Sequence, residues 1–282
     1  MSSLEQLVAM GFPEEMARSC LEAHGGDVSR ACNVLLGVDE TDAGHEAAES
    51  EVRSGTIQAS VNQYDVPHGR SACTCICLEA SLSVLGSLGM GAWGGTPDDV
   101  TNIVNVGVAM YEALAGAGAL AAEHSAVSEV LAAAARYRDA LEPATTRGCH
   151  QGLLGPETCF AGILESIRSE RQDKNRHLAV AITKPPETVV AFLPPETQQD
   201  ASAAGAEGPP AMGQWLLFDS HPRPQLGLVG ASVRSFHGEA ALVAALVHIF
   251  PAFDLGGTGS VMENMYNMVD CTPLMLRQVP QS

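Results

Sequence analysis

The residue types that thiol-based nucleophilic chemistry needs occur in short, separated segments of this chain. Ser71-Ala72-Cys73 precedes a run in which Ile76, Leu78, Leu82 and Leu85 fall close to helical spacing. Cys73 therefore stands at, or just before, the first turn of a buried helix. Unpaired backbone N–H groups and the positive end of the helix dipole at such a terminus favour a thiolate over a thiol. Upstream, the carboxamide of Gln63 is a neutral donor suited to face an oxyanion forming at that sulfur. Asp219-Ser220-His221 closes a strand-like run from Gln214. In extended chain, residues i and i+2 point to the same side. His221 then faces the thiol, while Asp219 fixes the imidazole tautomer and stabilises its charged form. Pro222 and Pro224 end the run at once and predict a sheet edge beside a cleft. A nucleophile on a helix terminus, a base on a strand and an amide donor before the nucleophile make a cysteine hydrolase arrangement.

Other residues compete for these roles. Cys75 is the second candidate for nucleophile, facing away if Cys73 faces the cleft; Cys77 lies well inside the helix, where a thiol behaves as a small hydrophobe. His68, His150 and His237 are fallback bases in loops or at a helix start. A zinc site from His68, Cys73, Cys75 and Cys77 would lack the second ligand pair that zinc-binding spacings carry. No metal or other cofactor is expected.

The elements around these residues divide into two sets. In residues 4–37, Leu4, Leu7 and Val8 share a helical face, and the chain breaks at Met10-Gly11-Phe12-Pro13. A second helix is predicted from Pro13 to His24, with Pro in the first turn. Gly25-Gly26 end it, Asp27 is the N-cap, and Val28, Ala31, Cys32, Leu35 and Leu36 predict a third amphipathic helix. Val38 to Gly55 is acidic and almost free of large apolar groups, a flexible linker by composition. The predicted domains are 1–38, a linker over 39–55, and 56–282.

From Thr56, helices come first. After the Cys73 helix, a Gly-rich break over 86–95 precedes two Ala-rich helices at 97–115 and 119–141. A loop over 143–158 and a helix over 159–171 follow. The period then changes to short strands at 177–183, 188–193, 214–219 and 227–235, with a loop over 194–213 and a last helix over 238–250. Helices followed by an antiparallel meander predict an α+β domain. The tail after Phe253 is too mixed in pattern to assign.

Of 282 residues, 46% are hydrophobic, as in a globular protein, and the net charge is −18. That charge argues against nucleic acid, whose phosphates need Lys or Arg, and suits a basic protein partner. Apolar runs are broken before ~18 positions, so no membrane span is expected. Residues 1–15 lack the basic start and apolar run of a signal peptide. Eight cysteines, three of them alternating in one segment, are no disulfide framework; a reducing, cytoplasmic setting is the simpler expectation.

The segment LVAMGFPEEMARSCLEAHGGDVSRACNVLLG closely resembles a ubiquitin-associated (UBA) domain, in its M-G-F loop and its D-V-x-x-A-x-x-x-L-L third helix. The resemblance implies a small apolar patch for ubiquitin, made here of Met10, Gly11, Phe12, Leu35 and Leu36. The Cys73 segment has the local layout of a papain-like nucleophile. The second domain resembles the deubiquitinases in the amino-terminal region of herpesvirus large tegument proteins and their tegument-like relatives. The matching features are Gln58-Ala-Ser-Val-Asn-Gln63, Ala72-Cys73-Thr74-Cys75, Gly-Ile-Leu-x-x-Ile at 162–167 and Phe218-Asp219-Ser220-His221.

That resemblance implies a papain-like fold, with helices packed on an antiparallel sheet, that cleaves after the terminal Gly-Gly of ubiquitin. It assigns Cys73 as nucleophile, His221 as base, Asp219 as its orienter and Gln63 as oxyanion donor. The reading is a deubiquitinating cysteine protease whose UBA module holds a second ubiquitin of a polyubiquitin chain. The alternative is a non-catalytic ubiquitin-binding adaptor with a degenerate protease-like domain.

Overall fold

The computed structural model describes residues 3–4, 14–23, 55–91, 93–122, 124–155, 159–196, 215–253 and 261–278. The chain divides into two compact units, Met1–Glu51 and Val52–Ser282. In the first, helix α1 (Glu14–Ala23) opens with two glutamates at its positive end and buries Ala17, Cys20 and Leu21 along one stripe. Met10, Gly11, Phe12, Leu35 and Leu36 lie outside the described residues, as do the predicted third helix and nearly all of the acidic linker.

The second unit is built on an eight-stranded sheet. Its strands are β1 (Thr56–Gln58), β2 (Leu141–Pro143), β3 (His150–Leu153), β4 (Leu178–Lys184), β5 (Glu187–Leu193), β6 (Trp215–Asp219), β7 (Ser232–Phe236) and β8 (Met268–Leu276). They run antiparallel in the order β1-β7-β6-β5-β4-β8-β2, with β3 also paired to β8. The helices are α2 (Cys73–Gly89), α3 (Pro97–Gly116), α4 (Val127–Ala133), α5 (Ala135–Ala140), α6 (Cys159–Glu170), α7 (Glu239–Ile249) and α8 (Val261–Asn267). This is the expected α+β architecture.

Strands β4 to β6 are almost wholly buried because the sheet is covered on both faces. Along β4, Ala179 and Ala181 face one core with α2 to α5, while Leu178, Val180 and Ile182 face a second core with α6 and α7. The small residues on the first face let α2 lie close to the sheet. Two covered faces remove the polar alternation a half-solvated strand would show.

Several expected boundaries differ from the structure. Helix α2 runs through Gly86 to Gly89, so the Gly-rich break is shorter than its composition suggested. The helix expected over 119–141 is instead α4 and α5, separated at Ala134, whose backbone is extended (φ −97°, ψ 105°). Leu141 already belongs to β2, and the loop expected over 143–158 contains β3. The unassigned tail supplies β8, an interior strand despite Pro273. That proline falls between the stretch of β8 paired with β3 and the stretch paired with β2, where its missing N–H interrupts neither ladder.

Candidate active site

Helix α2 is fixed at its start from several directions. Gly107 of α3 permits close approach: a Cβ there would meet Ile76 Cα at 2.4 Å. Thr74 donates its hydroxyl to the Ser125 carbonyl at 2.8 Å and lies 3.3 Å from Thr188 Oγ1 of β5. Cys77 donates to the Thr188 carbonyl at 3.1 Å. One turn on, the buried Glu79 carboxylate takes a two-point bond from Arg136 of α5, at 2.9 and 2.6 Å. The first residue of this anchored helix is Cys73, 3% exposed.

His221 arrives from the sheet. Strand β6 sends Leu216 and Phe218 into the first core and Trp215 and Leu217 into the second, then ends at Asp219. Strand β6 lies between β5 and β7, so the expected sheet edge is corrected: the pair sits at the end of an interior strand, where Pro222 stops the ladder. Asp219 Oδ1 accepts from His221 Nδ1 at 2.8 Å and from the His221 backbone N–H at 2.9 Å. The ring lies close enough to the Cys73 side chain for the two to interact. The sulfur also lies 3.6 Å from the Pro186 carbonyl, in the turn between β4 and β5.

Gln63 lies in a short 3-10 turn (Gln63–Asp65) capped by Asn62. Its backbone N–H donates to the Ser220 carbonyl at 3.0 Å. Its Oε1 accepts from Ser220 Oγ at 2.8 Å, and Nε2 donates to the Arg70 carbonyl at 3.2 Å. The amide orientation is therefore set, with one Nε2 proton beyond that bond. Gly69 is required beneath it: a Cβ there would fall 2.0 Å from the Gln63 carbonyl oxygen. Ser220 thus joins the Gln63 turn to the Asp219–His221 segment.

Burial alone would push the His221 imidazole down. The Glu187 charge, the Asp219 hydrogen bond, the Cys73 contact and the Asp219 charge instead hold it well above the ordinary histidine value. For Asp219, burial acts upward and is overcome by the Arg223 guanidinium and the His221 bond, which hold the carboxyl well below the usual range. Arg223 donates Nε to Asp219 Oδ2 at 2.7 Å and Nη2 to Glu187 Oε2 at 2.6 Å. Neither Arg223 nor Glu187 stood out in the sequence. The only trace was an arginine between two prolines just after His221, and an acid just after Pro185-Pro186.

The competing residues lie elsewhere or are held differently. Burial and the neighbouring Cys73 push the Cys75 thiol up to about 12, and burial also pushes the fully buried Cys77 thiol well up. His68 is exposed beside Glu112, and His237 is exposed. His150 is buried between Thr145 and Ser166. Among the described residues, no group of three or more His, Cys, Asp or Glu is arranged to hold a metal ion, and no helix is long and apolar enough to cross a membrane.

Residues 2–35 match the family model described as the UBA/TS-N domain. No curated protein matches the chain. Among solved structures, the chain is similar to the ubiquitin-specific protease encoded by the murine cytomegalovirus tegument protein M48, solved with a ubiquitin-based suicide substrate. The TM-score is 0.47 at 12% sequence identity, covering 80% of this chain and 88% of that one.

Proposed function

We propose that this chain is a deubiquitinating cysteine protease that hydrolyses the peptide or isopeptide bond after the C-terminal Gly-Gly of ubiquitin. The observation that carries the reading is the His221–Asp219 hydrogen bond at 2.8 Å set beside the Cys73 side chain, which opens a buried helix. The Cys73 thiolate attacks the carbonyl carbon of the last glycine, and the oxyanion that forms faces the free amide proton of Gln63. The imidazolium of His221 gives its proton to the leaving amine as the C–N bond breaks, leaving a thioester. Neutral His221 then takes a proton from water, whose oxygen attacks the thioester carbon, and the thiolate departs. The negative Asp219 stabilises the charged ring in each half-reaction. No cofactor enters this cycle.

Ubiquitin as substrate is supported by the UBA match over residues 2–35 and by the tegument-deubiquitinase motifs around Gln63, Cys73 and His221. Met10, Gly11, Phe12, Leu35 and Leu36 would bind a second ubiquitin of a chain and raise its effective concentration at the cleft. The setting is a reducing cytoplasm, which keeps the cysteines as thiols.

The test is incubation with ubiquitin carrying a C-terminal thiol-reactive warhead, read by intact mass, for the wild type and Cys73→Ala. A single adduct that vanishes in the variant is expected. No adduct in either protein overturns the reading in favour of a non-catalytic adaptor. Removing residues 1–38 is expected to slow cleavage of ubiquitin chains more than cleavage of a mono-ubiquitin reporter; equal slowing would exclude the second-ubiquitin role.

A further inference from the structure

Behind the thiol–imidazole pair lies a second layer of charge that the cleavage mechanism above does not use. Arg223 is nearly buried, with its side chain 9% exposed, and it lies between two carboxylates. Its Nε is bonded to the Asp219 oxygen that His221 leaves free, and its Nη2 is bonded to Glu187. The backbone around it is equally fixed. Arg223 and Leu228 exchange N–H···O bonds at 2.7 and 3.0 Å, closing a short loop that turns at Gly227 with φ 67°. Glu187 opens β5 directly after Pro186, whose carbonyl faces the Cys73 sulfur. One guanidinium thus ties the histidine-bearing segment to the turn that lies against the nucleophile.

The charged and titratable groups around His221 come from every neighbouring element. They are Cys73 from α2, the Tyr64 ring at 6.1 Å from the 3-10 turn, Glu187 from β5, Asp219 from β6 and Arg223 from the loop. Arg234 of β7 adds a second guanidinium within electrostatic reach of Asp219, and Cys77 of α2 also reaches Asp219. Without Arg223, Asp219 would lose the partner of its second oxygen, and Glu187 its ion pair. Without Glu187, the guanidinium would keep Asp219 as its one carboxylate partner, and the ring would lose a nearby negative charge.

We propose that Arg223 and Glu187 form a positioning pair: Arg223 holds Asp219 against His221, and Glu187 fixes the guanidinium and sets a second carboxylate near the ring. The inference rests on the cysteine-protease reading. It adds two residues that touch no substrate and act through Asp219 and His221.

The two members have opposite electrostatic effects, which a purely structural role would not produce. Glu187→Gln is nearly isosteric at a site whose side chain is 26% exposed, so it preserves the fold. It is expected to move the alkaline limb of the kcat/KM profile down by roughly one pH unit, because the imidazolium loses a favourable charge. Arg223→Met is expected to move the same limb up and to lower kcat, by up to about 10²-fold, because Asp219 is no longer held. Arg223→Lys keeps the charge without the planar fork, and is expected to restore the limb but not kcat. The experiment records kcat/KM against pH on a ubiquitin reporter for these variants, together with the NMR titration of the His221 ring in the full chain. A Glu187→Gln limb and ring titration that both coincide with wild type overturn the proposal, as does a loss of rate that is uniform with pH. A wild type that neither cleaves nor forms the warhead adduct overturns the protease reading instead; the ring titration still decides whether Glu187 and Arg223 act on His221.

Discussion

Helix α2 reaches a histidine neighbourhood at each of its ends, and the two are opposites. It is 17 residues long, so the ends are ~25 Å apart. At the N-terminal end Cys73 meets His221. At the C-terminal end Leu85, Leu88 and Gly89 line a cavity of about 460 Å³ with Arg176, His177 and Leu276. Burial acts on both rings in the same direction, against the charged form. At His177 the next influence is the Arg171 guanidinium, and the ring is lowered to about 4. At His221 the neighbours are Glu187 and Asp219, and the sign reverses. A cavity therefore opens at the end where the histidine is held neutral and no cysteine is among the lining residues. What makes a candidate active site here is the carboxylates set beside the buried ring, and not the empty volume.

The strongest test of that contrast exchanges the two histidines. His221→Ala is expected to lower kcat/KM on a ubiquitin reporter by about 10²–10⁴-fold, the range for loss of a general acid–base. His177→Gln is expected to leave the rate within about twofold, because its ring reaches no reacting group. Comparable losses in the two variants would break the comparison and move attention to the far cavity.

A smaller effect sharpens the near end. Gln63→Ala removes the amide assigned to the oxyanion and is expected to cost about 10²–10³-fold in kcat with little change in KM. It also removes the acceptor of the Ser220 hydroxyl, at about 1 kcal/mol of stability. A variant that lost stability but kept kcat would leave Gln63 as a strut between its turn and the Ser220 segment.

The two neighbourhoods were unequally legible in the sequence. Cys73 was readable because Ile76, Leu78, Leu82 and Leu85 announce a helix starting there, and helical periodicity is a local signal. His221 and Asp219 were readable from their i, i+2 spacing at the end of an apolar run. Arg223 and Glu187 were not, because their meeting depends on the register of the sheet: β4 and β5 close at Lys184 and Glu187, and β5 brings that turn beside the end of β6. Strand β8 was hidden for a related reason. Asp270 and Pro273 mark it as non-strand locally, and only the division of its partners between β3 and β2 makes room for the proline. The α+β class was legible because it follows from the order of periodic segments. The covering of both faces of the sheet was hinted at only by the unbroken apolar runs in β4 to β6.

The opposite shifts of the two rings also predict opposite contributions to stability with pH. For His177, the unfolded ring takes its proton near pH 6.5 while the folded ring resists until about 4. The unfolded state therefore binds more protons in that window, and stability falls as the pH drops through it. The loss is at most about 3 kcal/mol, and nearer 1 for a ring that is partly exposed. For His221, raised in the folded state, the contribution is fully present below pH ~6.5 and is lost as the pH rises through the folded value. Asp219, lowered in the folded state, adds a loss only below pH ~3.9. Urea midpoints at pH 7 and pH 4.5, compared between the wild type and His177→Gln, isolate His177, because His150, also lowered by burial, and His221 titrate alike in both proteins. Over that window His177→Gln is expected to lose about 1 kcal/mol less stability than the wild type. Parallel losses in the two proteins would mean that burial at the far end of α2 costs the imidazolium little, and the contrast between the rings would then rest on the carboxylates at His221 alone.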